Sequence, residues 1–159
     1  MYNILVFYKI IFYDKEVEFM EKIKYIGCFF DLAEVHSQIA QLGKERLYKT
    51  IENPHITFKY RPDSVPEELF GLPVRVKVIG YGRDEENEAL LVEFSELPEA
   101  LIPLSEEISV PHITLSIAAD GKSVNSRDLT FFPIKSFYLE GVFGGMEESG
   151  KKHTIQMPL

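Results

Sequence analysis

Two copies of one four-residue word hold the side chains in this sequence best suited to chemistry. Pro54-His55-Ile56-Thr57 and Pro111-His112-Ile113-Thr114 each run on into a large apolar residue, Phe58 or Leu115. In a strand, side chains alternate between faces, so each His shares a face with the Thr two residues on, about 6.8 Å along the strand. Each strand then presents one imidazole and one hydroxyl, while Ile56 and Ile113 point to the core. Proline suits the first residue of a strand, where its missing N–H breaks no ladder bond. With an ordinary pKa of about 6.5, one imidazole of a pair can be neutral and act as base while the other is protonated and acts as acid. Hydroxyl donors can hold oxygens on which negative charge rests or builds. Phosphodiester cleavage fits this set, with His55 and His112 moving protons and Thr57 and Thr114 gripping non-bridging oxygens.

Rival chemistries find less support. A zinc site usually recruits three or four ligands, and neither word carries a second ligand at a familiar spacing. There is no Gly-x-x-x-x-Gly-Lys phosphate loop, and residues 141–145 fit no dinucleotide fingerprint. Cys28 is the only cysteine and sits in an apolar run, which reads as a buried small hydrophobe. His36 has no motif of its own and reads as a boundary residue. In His153-Thr154 the pair is adjacent, so the two cannot share a strand face, and it is no third copy. A nucleotide-binding module without turnover would keep the same cleft and need no proton transfer.

The elements that must position the two words follow from periodicity and breakers. Residues 22–30 are rich in aromatic and branched side chains and read as a central strand. Asp31 and Glu34 make a capping signature for a helix over 32–43, with Val35, Ile39 and Leu42 on one face and Gly43 as its stop. A polar connector leads to the first word strand, 54–60, and one helical turn is expected over 67–71. Val74, Val76 and Val78 alternate with Arg75 and Lys77, and with 89–94 they predict a hairpin around a polar turn. A second helix over 97–107 is cut short by Pro103, and the second word strand covers 111–117. Residues 118–126 read as a polar loop, and strands over 131–143 and 153–157 as a hairpin joined through Gly144-Gly145 and a charged turn. The order strand, helix, word strand thus occurs twice.

With 159 residues, 45% of them hydrophobic and 26% charged, the sequence is long enough for one domain with its own core. Its net charge of −8 repels long polyanions, so no extended nucleic-acid surface is expected, whereas a small anionic substrate in a locally positive cleft is not excluded. Lys22, Lys24, Lys49, Lys59 and Arg61 gather around the first word. Phe30, Tyr60 and Phe143 could stack on a base but read as core or strand filling. A lone cysteine points to a reducing, cytoplasmic setting. Residues 1–19 read as an N-terminal extension, too interrupted by Lys9 for a signal peptide and too short to span a bilayer, before a single domain over 20–159.

Two His-x-Thr-hydrophobic words, one in each half and each at a strand, resemble the 2H phosphoesterase superfamily, which includes LigT-like RNA 2′,3′-cyclic phosphodiesterases and 2′-5′ RNA ligases. The resemblance spans about residues 22–157 and rests on the eight positions of the two words. It implies an α+β fold of two lobes of antiparallel sheet related by a pseudo-twofold axis, with flanking short helices and a central cleft. It also implies metal-independent chemistry; no cofactor is expected, and the chain is expected to be a monomer. Carried over by position, His55 and His112 become the acid–base pair and Thr57 and Thr114 the phosphate ligands. The substrate would be a nucleoside or RNA-end 2′,3′-cyclic phosphate, with 2′-5′ linkages or cyclic oligonucleotide signals as alternatives.

Overall fold

The computed structural model describes residues 22–155, and these are mostly antiparallel strand with a few short helices, an α+β arrangement. The expected extension over 1–19 and residues 156–157 of the last expected strand lie outside the described residues; of the rest of that strand only His153 is strand, while Thr154 and Ile155 are not. Strand β1 (Ile23–Phe30) is followed by helix α1 (Leu32–Gln41), strands β2 (Lys49–Thr50) and β3 (His55–Tyr60), and a 3-10 turn (Glu67–Leu69). Strands β4 (Pro73–Arg83) and β5 (Asn87–Glu96) form the expected hairpin. A second 3-10 turn (Glu99–Leu101) then runs into helix α2 (Ile102–Ser105), followed by β6 (His112–Ile117), a third (Ser123–Asp128), β7 (Phe131–Glu147) and β8 (Lys152–His153).

Local chemistry accounts for most of these boundaries. Asp31 caps α1 by accepting from the Ala33 N–H, Val35 and Ile39 bury its inner face, and Gly43 ends the element at φ +74. Pro103 falls in the first turn of α2, where a missing N–H costs nothing, so the helix survives but spans only four residues. Ile56, Phe58, Ile113 and Leu115 all turn into the core, the alternation expected of the two word strands.

The strands make one continuous sheet in the order β2-β6-β5-β4-β7-β1-β3, with β8 pairing β7. From β3 to β6 the order is unchanged when β1 is exchanged with β5, β3 with β6 and β4 with β7. Pairing of β4 with β7 joins what would otherwise be two sheets. The two ends of this sheet must also lie close together. Ile51 N–H donates to Leu115 on β6, while the Pro54 carbonyl accepts from Phe30 on β1. Three residues of extended chain cover only about 10 Å. The sheet therefore curls until β3 and β6, the two word strands, lie against each other.

Three expectations need correction. Gly144 and Gly145 are not a turn but lie inside β7, and the turn comes later, between β7 and β8. A Cβ on Gly144 would strike the His153 carbonyl, and one on Gly145 would crowd Phe70 and Ile23, so both glycines answer to close packing. The loop over 118–126 carries most of the third 3-10 turn, and the connector before the first word holds the short strand β2.

Candidate active site

Each word builds the same local device. The chain bends just before each proline, and the carbonyl two residues before each His accepts from its ring. His55 Nδ1 donates to Asn53 O at 2.8 Å, and His112 Nδ1 donates to Val110 O at 2.8 Å. A carbonyl can only accept, so Nδ1 carries the proton on both rings, and each neutral imidazole has its lone pair on Nε2. The prolines complete the match: Pro54 O accepts from Phe30 N at 2.9 Å and Pro111 O from Val92 N at 3.1 Å.

The strand beside each word sets a small residue opposite its threonine. On β1, Phe29 lies opposite His55 and Gly27 opposite Thr57. On β5, Leu91 lies opposite His112 and Ala89 opposite Thr114. A large apolar residue therefore flanks each imidazole and a very small one each threonine. His55 is further fixed by Tyr25, whose ring stacks on the imidazole at 4.5 Å with its hydroxyl 3.3 Å from Nδ1. Burial pushes the Tyr25 hydroxyl well above its usual range, so it stays protonated.

Both imidazoles are pulled below their ordinary pKa of 6.5. Burial is the largest cause in each case, partly offset by the carbonyl that accepts from Nδ1. His55 is lowered further by the charges of His112 and Lys24, and His112 by that of Arg127. The two rings are thus close enough to act on one another, and a cation stands near each. Near neutral pH both imidazoles are therefore mainly neutral.

The two threonines differ. Thr57 is half-buried on the His55 face. Thr114 is buried, and its hydroxyl lies 2.8 Å from Ser126 Oγ. Asn87, also buried, donates one Nδ2 proton to Lys122 O at 2.8 Å and the other to Ser126 Oγ at 2.9 Å. Either hydroxyl can be the donor between Ser126 and Thr114, because a serine oxygen that accepts from Asn87 keeps a second lone pair. Thr114 Oγ1 has one further partner, Ser123 O, to which it donates at a poor 3.5 Å.

The basic cluster around the first word divides by partner. Lys24 acts on His55 and Lys49 lines the cavity beside it, but Lys59 pairs with Glu107 at 3.7 Å and Arg61 pairs with Glu148. His153 on β8 pairs with Glu147 on β7 at 2.5 Å, and His36 is half-buried on α1. Cys28 is buried, and burial pushes its thiol far up, the inert state expected. Phe30 and Phe143 are core, while Tyr60 is exposed beneath Arg61. Sequence reading missed Tyr25, Asn87, Ser126 and Arg127. None has a spacing to the words that marks it, and each reaches the site only through folding.

A cavity of about 900 Å³ opens beside His55, between Tyr25 on β1 and Tyr48 at the start of β2. Among the described residues, no group of three or more His, Cys, Asp or Glu side chains could hold a metal ion. No helix among them is long and apolar enough to cross a membrane. No protein-family model matches the chain, and a search of curated proteins finds no match.

Proposed function

We propose that the chain is a metal-independent phosphodiesterase of the 2H type that opens a nucleoside or RNA-end 2′,3′-cyclic phosphate. The observation that carries this reading is the matched pair of imidazoles, each tied at Nδ1 to the carbonyl two residues back, on two strands that lie against each other. The exchange symmetry of the strand order supports a two-lobed, pseudo-twofold arrangement with the cleft at its seam.

In this mechanism the neutral Nε2 of one His takes a proton from water as the water oxygen attacks phosphorus. The ring P–O bond breaks, and the other His gives its Nε2 proton to the departing ribose oxygen, leaving a phosphomonoester. Thr57 and Thr114 donate to the non-bridging oxygens. Lys24 and Arg127, whose charges lower the two imidazoles, also favour an anionic substrate.

Turnover of a nucleoside 2′,3′-cyclic phosphate in excess chelator tests the proposal, with a 2′-5′-linked dinucleotide and a cyclic dinucleotide run beside it. Complete loss of turnover with chelator contradicts it. The pH profile has a predicted sign. One His must be protonated and the other neutral, and both pKa values lie below 6.5, so kcat/KM should peak on the acid side of neutrality. Above the higher pKa it should fall about tenfold per pH unit. The substrate's negative charge raises the imidazoles again, so the alkaline limb of kcat should lie at higher pH than that of kcat/KM. A kcat/KM that climbs from pH 6 to 9 rules out the acid–base pair.

Thr57→Ala and Thr114→Ala should each lower kcat/KM by about 10²-fold, the scale of one lost donor to a charged oxygen. Steady-state kinetics decide, and a parental rate in either variant removes that residue from the proposed phosphate site.

A further inference from the structure

The two words are matched in detail, yet the cavity of about 900 Å³ borders His55 and none of His112, Thr57 and Thr114. Its volume lies in the range of small-molecule sites and exceeds what a phosphate alone would fill. One part of its wall, Tyr48, is held by hydrogen bonds. Tyr48 O–H donates to Asp84 O at 2.7 Å, and Tyr48 N–H donates to Ser116 Oγ at 3.3 Å. Ser116 is held in turn by the fully buried Glu88, whose carboxylate accepts from its hydroxyl at 2.8 Å and from Tyr81 O–H at 2.5 Å. Glu88 also faces the Leu47 N–H at 3.5 Å and Arg46 at 3.5 Å. A buried carboxylate with this many donors is expensive to assemble unless the segment it holds must stay in place. That segment carries Tyr48 into β2, where Thr50 pairs with Ser116 on the word strand β6.

The lining suits a flat, hydrogen-bonding heterocycle. Tyr48 and Ile117 supply apolar surface, while Thr50, Glu52 and Asn53 supply donors and acceptors at the rim. Every nucleobase has a π-face for an aromatic wall, and such stacking tolerates any base.

We propose that this cavity is the nucleoside subsite, seating the base against the pinned ring of Tyr48 and setting the nucleoside's own ester oxygen beside His55. The assignment rests on the phosphodiesterase reading for its chemistry. It gives His55 the proton delivered to the departing ribose oxygen and leaves the attacking water to His112. Atoms balance: water contributes OH to phosphorus and its second proton to His112, while the proton on His55 Nε2 ends on the ribose oxygen.

The experiment compares kcat/KM for a nucleoside 2′,3′-cyclic phosphate with that for glycerol 1,2-cyclic phosphate, which has the same five-membered diester and no base. Tyr48→Ala should lower the ratio of the two about 10- to 100-fold, mainly through KM for the nucleoside. Tyr48→Phe, which keeps the ring, should hold it within about threefold of the parent. Ala119→Trp fills the cavity from an exposed position and should depress the ratio in the same way, which keeps the test intact if Tyr48→Ala folds poorly. Unchanged ratios in both Tyr48→Ala and Ala119→Trp, with turnover retained, overturn the subsite and leave the phosphodiesterase reading standing. Calorimetric binding of a nucleoside monophosphate that depends on Tyr48, with neither diester turned over, supports the subsite and ends the phosphodiesterase reading.

Discussion

His55→Ala and His112→Ala each lower kcat for a nucleoside 2′,3′-cyclic phosphate about 10³-fold, within the range expected for a positioned proton-transfer group. Each removes a different proton route, one to the departing oxygen and one from water. The two routes serve a single transition state, so the double variant should fall little below the worse single one. Both rings are only half-buried, and each gives up one hydrogen bond to a carbonyl on truncation. Stability should therefore change by about 1 kcal/mol, and thermal melting should remain cooperative. Added imidazole, free to occupy the space left, should restore part of the rate. Parental turnover in both variants ends the acid–base assignment, and loss of the fold at either position would assign that His a structural role instead.

Gly27→Val should cost about as much activity by a different route, because it moves the site rather than removing a group. Gly27 lies between Thr57 on β3 and Gly144 on β7, beside an irregularity in the pairing of β1 with β3. A Cβ built there drives into the Ile56 carbonyl and closes on the Thr57 Cα. Both obstacles are backbone, so no rotamer change relieves them. Strand β3 must lift away from β1, taking His55 from its place against Tyr25 and Phe29. A loss of about 3 kcal/mol is expected, at the upper end for overpacking, and Gly27→Ala should show a smaller loss of the same sign. Denaturant midpoints and kcat measured together test this, and a Gly27→Ala protein with parental values of both would show that β3 can yield without harm.

The site was readable in the sequence where its logic is local. His55 with Thr57, and His112 with Thr114, obey the two-residue period of a strand, and the prolines mark where each strand begins. Beside each proline lies something more: the carbonyl before it accepts from the imidazole after it, a hydrogen bond that no residue pattern reveals. What supports the hydroxyls was hidden, since Asn87 and Ser126 meet Thr114 only after β5 and the third 3-10 turn close over β6. Gly144 and Gly145 misled for a physical reason. Glycine answers equally to a turn and to a crowded strand, and only the neighbouring backbone distinguishes them. Strand β2 escaped notice because two residues carry no periodicity, yet it brings the far end of the sheet back to the first word.

Pairing of β1 with β7 and of β4 with β5 has a consequence during synthesis. Each half of the chain lends its third strand to the other half, so Gly27 waits for Gly144 and the β1 edge stays uncovered until nearly all of the described chain has left the ribosome. Contacts so distant in sequence are slow to form, and an uncovered apolar strand invites association with other chains. The exchange that draws the two histidines to one seam therefore makes the nascent protein a late folder, with its most exposed edge beside the first word strand.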